Sequence, residues 1–199
     1  MIAIIDYGMG NLGSVKNALD SLNIESVITR DIDVIKSADK LILPGVGAFK
    51  KAMDNLKTLG LNQVIIDEVK KGKPILGICL GMQLLFSSSE EYGLTKGLNI
   101  LEGSIVHFKE NGLKIPHMGW NNLTIPSNTK LFKGLNNPYV YFVHSYHLVT
   151  DNIDYLLTKT TYGYEFCCAV EYKNIFATQF HPEKSGDVGL KILKNFGDL

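Results

Sequence analysis

The feature that most limits the fold is an alternation in the first half of the chain. Short apolar runs, "IAIID" (2–6), "ESVIT" (25–29), "KLILP" (40–44) and "PILGI" (74–78), are separated by stretches with helical spacing. Between the first two, apolar residues recur at 12, 15, 18, 19 and 22, one face of a helix. "FKKAMDNL" (49–56) and "LNQVIIDEVKKG" (61–72) continue the pattern, the second stopped by Gly72, and "LGMQLLFSSS" (80–89) follows the fourth run. Consecutive strands joined through helices run parallel, and their continuous apolar character requires cover on both faces. After about residue 100 the texture changes to shorter, more polar β-like runs at 104–108, 121–125, 139–143 and 155–159. "FCCAVEY" (166–172) and "NIFATQF" (174–180) predict a hairpin about Lys173–Asn174, and "GDVGLKILKNF" predicts a closing helix. The expectation is one α/β domain over 1–199, an open, mostly parallel sheet flanked by helices with a β-rich second half.

Composition matters mainly for what it excludes. Twenty basic residues balance twenty acidic ones, so no overall field draws nucleic acid or an anionic membrane. Pro74 to Phe86, the longest mostly apolar stretch, is too short to span a bilayer, and "MIAIIDYG" lacks the basic start of a secretory signal. Three cysteines form no disulfide framework, so a cytoplasmic location is expected. Cys167 and Cys168, vicinal on a strand, point to opposite faces and suit ordinary packing. His144 and His147 have a metal-like spacing but no third ligand, so no metal is expected.

"GMGNLG" (8–13) follows a strand and opens a helix, and Asp31 stands near the spacing of a ribose-binding acid, the pattern of a dinucleotide site. Asp6, placed beside the would-be pyrophosphate, argues against it. The plainer reading is a tight turn with Asn11 capping the helix.

"GICLG" (77–81) has the G-x-nucleophile-x-G form of a sharp strand-to-helix elbow, which exposes the central side chain at the carboxyl end of a sheet. Cys79 is either a small buried hydrophobe or a thiolate favoured by a helix N-terminus. A nucleophile needs a base, and of the five histidines only His181, in "QFHPEKS", directly follows a strongly patterned strand. Pro182 biases His181 toward extended geometry, which would put Glu183 on the same side to orient the ring. Oxyanion donors are available from the Leu80 N–H and the glycine-bearing "LPGVGAF" (43–49).

Taken together, "PGVGAF", "GICLGMQLLF" and "HPEKS" resemble the class I (triad) glutamine amidotransferases. "DYGMGN" (6–11), "PHMGWN" (116–121) and "YFVHSYH" (141–147) make the chain similar to the members serving histidine biosynthesis. The resemblance runs from residue 2 to the terminal helix and implies a flavodoxin-like sheet. It implies that Cys79 attacks glutamine to form a thioester, with His181 as acid and base and Glu183 orienting it. Leu80, Gly45, Val46 and Gly47 would form the oxyanion hole, and Gln83, His144, Ser145 and Tyr146 would bind substrate. It implies no cofactor. Ammonia would pass to a (βα)8-barrel cyclase subunit in a heterodimer, with Gly10, Asn11, Trp120 and Lys184 at the interface; a lone tryptophan suits an interface anchor and equally a core aromatic. Rival readings are an amidotransferase of another pathway, a cysteine hydrolase acting on peptides or glyoxals, and a non-catalytic nucleotide-binding module.

Overall fold

The computed structural model describes residues 1–109 and 112–199. Its first half follows the alternation: β1 (Ile2–Ile5), α1 (Leu12–Ser21), β2 (Ser26–Thr29), α2 (Ile32–Ser37), β3 (Lys40–Gly45), α3 (Phe49–Thr58), α4 (Leu61–Lys70), β4 (Ile75–Cys79) and α5 (Leu80–Leu84). The second half holds β5 (Ser88–Ser89), β6 (Thr95–Lys96), β7 (Ser104–His107), β8 (His117–Asn122), β9 (Tyr139–His144), β10 (Tyr146–Val149), β11 (Leu156–Tyr162), β12 (Tyr164–Tyr172) and β13 (Ile175–Thr178). A 3-10 turn (Pro182–Lys184) leads into α6 (Gly186–Gly197).

Among the described residues one sheet runs β2-β1-β3-β4-β13-β12-β10-β7-β5-β6, with β11 also on β12, and β8 pairs with β9 separately. From β2 to β13 every pairing is parallel. β12 is antiparallel to β13 and to β10. β13 is therefore the seam between a wholly parallel half and a mixed one, in which β7 is antiparallel to β10 but parallel to β5.

The period-2 geometry of strands explains the two cores. Ala3, Ile5, Leu41, Leu43 and Ile75 face one side, where α3 contributes Phe49 and Met53 and α4 contributes Ile65. Ile2, Ile4, Ile42, Leu76 and Ile78 face the other, against Val15 and Leu19 of α1 and Ile192, Leu193 and Phe196 of α6. Cys167 falls in the first core and Cys168 in the second, as alternation requires. Burial pushes the Cys167 thiol up to about 12, so it is inert at neutral pH.

The structure adds β5, β6 and β10 to the elements expected and departs from the sequence reading elsewhere as well. α5 ends at Leu84 rather than running to Ser89, because residues 97–101 capture the carbonyls that a longer helix needs: Leu98 N–H donates to Leu84 O (2.8 Å), Leu101 N–H to Leu85 O (3.0 Å) and Asn99 N–H to Phe86 O (3.2 Å). The strand expected at 121–125 is shifted, with β8 occupying 117–122. The polar "TRDID" turn opens a helix, α2, with the Asp31 carboxylate accepting from Asp33 N–H (2.8 Å) and Val34 N–H (3.2 Å). Asn11 occupies the N-cap position of α1, but its side chain makes no cap hydrogen bond. His181 is extended as expected, yet Glu183 lies in the 3-10 turn rather than in an extended segment.

Candidate active site

β4 ends at Cys79 with φ 55° and ψ −111°, a conformation that L residues rarely adopt. The flanking glycines make this turn possible. A Cβ on Gly77 would come within 2.9 Å of Gly81 O and Met82 Cα, and one on Gly81 would collide with the Leu43 carbonyl. The elbow is thus clamped between β3 and its own helix. Gly45 stands opposite Cys79 in the β3–β4 register, and a Cβ there would collide with the buried Tyr7 hydroxyl.

His181 comes off the seam strand itself, three residues past β13. Its backbone is tied to β9, since His181 N–H donates to Tyr141 O (3.0 Å). Ser185 Oγ donates to His181 O (2.7 Å) and accepts from Tyr141 N–H (3.0 Å). The ring Nδ1 meets Glu183 Oε1 at 2.8 Å, although the carboxylate arrives from a 3-10 turn. Nε2, on the opposite side of the ring, is buried, and among the described residues no partner meets ordinary hydrogen-bond geometry with it. Burial disfavours the charged ring, but the Cys79 sulfur and the Glu183 carboxylate outweigh it and carry the His181 pKa up to about 10. At neutral pH this ring is an imidazolium beside a sulfur.

Cys79 and His181 line a pocket of about 590 Å³. Val46 and Gly47 border it, and Leu80 and Gln83 stand beside the cysteine. His144, Ser145 and Tyr146 also line it. Glu183 lies behind His181, and Gly45 lies behind the loop at the end of β3. Leu80 is the first residue of α5, where an N–H has no helical acceptor. Gly47 holds φ +97°, which frees the Val46–Gly47 peptide to present a donor.

Further wall residues escaped the sequence reading, among them Glu91, Tyr92, His107 and Val143. Glu91 Oε2 accepts from Phe49 N–H (2.6 Å), so it ties the 90–92 segment to the start of α3, just after the glycine loop. Nothing in the sequence marks it, because the contact joins residues 42 apart.

His144 is buried and neutral, its pKa pushed by burial down to about 3. Nδ1 donates to Tyr146 O (2.8 Å), so Nε2 is the acceptor for His117 Nδ1 (2.9 Å). His147 pairs separately with the Tyr164 hydroxyl (2.8 Å), and among the described residues no three His, Cys, Asp or Glu side chains cluster as metal ligands.

The residues expected at an interface are distributed as follows. Trp120 is 57% exposed, on the outward face of β8 with its ring against Tyr141, which rules out a core role. Lys184 is exposed beside Glu183. Gly10, at φ +133°, approaches the Pro44–Gly45 peptide, and Asn11 is half-buried at the helix start. The two acids of the dinucleotide pattern have structural partners: Asp31 caps α2, and Asp6 pairs with Arg30 (2.5 Å). No helix is long and apolar enough to cross a membrane among the described residues.

Comparison with known proteins bears directly on this site. The family model for class-I glutamine amidotransferases matches residues 3–198. The chain is 50% identical to the imidazole glycerol phosphate synthase subunit HisH of Syntrophotalea carbinolica, over the whole of both chains. It is 52% identical to that of Caldanaerobacter subterraneus, covering 100% of this chain and 98% of the relative. A crystal structure of a glutamine amidotransferase superposes with TM-score 0.78 at 20% identity, over 99% of this chain and 100% of the other. The structure of PurLQS from Thermotoga maritima gives 0.73 at 18%, over 99% and 97%, a likeness of fold alone. With a whole-chain family match and relatives at this identity, the chain belongs to the class-I glutamine amidotransferases, in the group of HisH subunits of imidazole glycerol phosphate synthase.

Proposed function

We propose that this chain is a single glutaminase domain in the cytoplasm, hydrolysing glutamine at Cys79 for imidazole glycerol phosphate synthase. The observation that carries the proposal is the meeting of Cys79 and His181, about a hundred residues apart, at one pocket, with Glu183 behind the histidine. The Cys79 sulfur attacks the side-chain amide carbon of glutamine, and the amide oxygen takes up the negative charge. The Leu80 N–H and the Gly45–Val46–Gly47 loop stabilise that oxygen. The His181 imidazolium gives its Nε2 proton to the departing nitrogen, so ammonia leaves and a thioester remains. Nε2 then takes a proton from water, which attacks the thioester and releases glutamate. Glu183 holds Nδ1–H throughout and steadies the ring whenever it carries charge. Gln83, Ser145 and Tyr146 hold the substrate, and His144, its ring nitrogens engaged by Tyr146 O and His117, contributes wall beside them.

The names of the relatives describe one subunit of a synthase, which implies a second. We assign the partner as a (βα)8-barrel cyclase that receives the ammonia and makes imidazole glycerol phosphate and aminoimidazole carboxamide ribotide. Gly10, Asn11, Trp120 and Lys184 are the contacts proposed for it, and the exposure of Trp120 supports that role. A glutamine-derived electrophile tests the chemistry. Mass spectrometry is expected to find one adduct, on Cys79, lost in Cys79→Ala; a label on another residue, or none, would contradict the assignment.

A further inference from the structure

Gln179 sits between β13 and His181, and the reaction scheme leaves it unused. It is wholly buried, with its backbone N–H fixed to Cys168 O at 2.8 Å. Both ends of its amide are engaged. Nε2 donates to Cys79 Sγ at 3.8 Å, within the longer reach of sulfur, and Oε1 accepts from Gln83 Nε2 at 2.9 Å. An amide has one donor end and one acceptor end, so these contacts are coupled. The donor end of Gln179 faces the Cys79 sulfur and its oxygen faces Gln83. Gln83 must then present its own Nε2, which also reaches Tyr146 O at 3.3 Å. That leaves the Gln83 oxygen as the end available to a ligand in the pocket that Gln83 lines.

We propose that Gln179 is a positioning residue acting in two directions: it stabilises the thiolate of Cys79, and it fixes the amide orientation of Gln83 so that the pocket offers substrate an acceptor. The pocket then favours a ligand bearing an N–H donor at that point, as glutamine does in its ammonium and its amide. The second half of this statement rests on the glutaminase reading; the first does not.

The test uses the complete two-chain enzyme, with the variants Gln179→Met and Gln179→Leu. Both side chains are near the volume of glutamine and lack the amide N–H donor and the amide oxygen, and the second serves if the first does not fold. Alkylation of Cys79 by iodoacetamide, followed against pH, needs no glutamine. Loss of the donor is expected to move its midpoint up by about one pH unit. KM for glutamine is expected to rise about tenfold through the freed Gln83 amide. In a Gln83→Leu background the same substitution is expected to leave KM within about twofold, because the coupling runs through Gln83. A purely structural Gln179 would lower thermal stability and leave the alkylation midpoint unmoved. An unmoved midpoint together with an unchanged KM would overturn the proposal, as would a KM effect that persists undiminished without Gln83. A wild-type enzyme that alkylates normally but hydrolyses no glutamine would instead overturn the glutaminase reading.

Discussion

Cys79 is held in a backbone conformation that costs about 1–3 kcal/mol, and such strain persists only where neighbouring contacts over-determine it. Here the over-determination is visible in two glycines. Gly81 has no room for a methyl group because the Leu43 carbonyl of β3 lies where its Cβ would be, and backbone cannot move as a side-chain tip can. Gly81→Ala is therefore expected to cost about 3 kcal/mol, at the upper end of overpacking effects, read from the urea midpoint. A loss below about 0.5 kcal/mol would mean that the elbow relaxes freely and is not clamped. The same reasoning explains why this residue was legible from the sequence. The glycine spacing is a local requirement of the turn, and His181-Pro182-Glu183 is equally local, so both can be read within a few residues.

At the scale of elements, the β8–β9 ribbon joins the outer surface to the pocket. Its inward face carries the His117–His144 pair (2.9 Å) and its outward face carries Trp120 and Tyr139. Burial holds His117 at about 4 and His144 at about 3, against 6.5 for a free histidine. Below pH 6.5 the unfolded chain therefore binds protons that the folded chain refuses, and stability falls as pH drops toward 4. His181 behaves oppositely. Its pKa is raised to about 10, so its contribution is complete below 6.5 and is lost as pH rises toward 10. Thermal unfolding across pH is expected to show both limbs, with His117→Gln flattening only the acidic one; an acidic limb unchanged by that substitution would contradict the burial argument. None of this was legible in the sequence. His117 and His144 are 27 residues apart and meet only through the β8–β9 register, while Gln83 and Gln179 are 96 apart and meet only because they follow β4 and β13, neighbours in the large sheet. The end of α5 was hidden for the same reason: residues 97–101 capture its carbonyls, and no pattern within the helix announces that competition.

At the scale of the molecule, the parallel half supplies the nucleophile and the seam strand supplies the base. β13 pairs parallel with β4, which ends in Cys79, and antiparallel with β12, while His181 is tied to Tyr141 of the outward ribbon. The site is thus assembled across the join between two kinds of sheet, with the ribbon on one side and the glycine loop on the other. That loop carries Val46 exposed and Gly47 at positive φ, so its donor can be aligned or misaligned by a peptide rotation. A partner that binds only the aligned arrangement shifts the population toward it. The most direct measurement is glutamine hydrolysis by the purified chain, with and without the ligand-loaded cyclase, for wild type and Cys79→Ala. The account predicts weak turnover alone, a rise of about tenfold or more with the partner, and none in either condition for Cys79→Ala. Full turnover by the chain alone would contradict the gating, and turnover that survives Cys79→Ala would contradict the site itself.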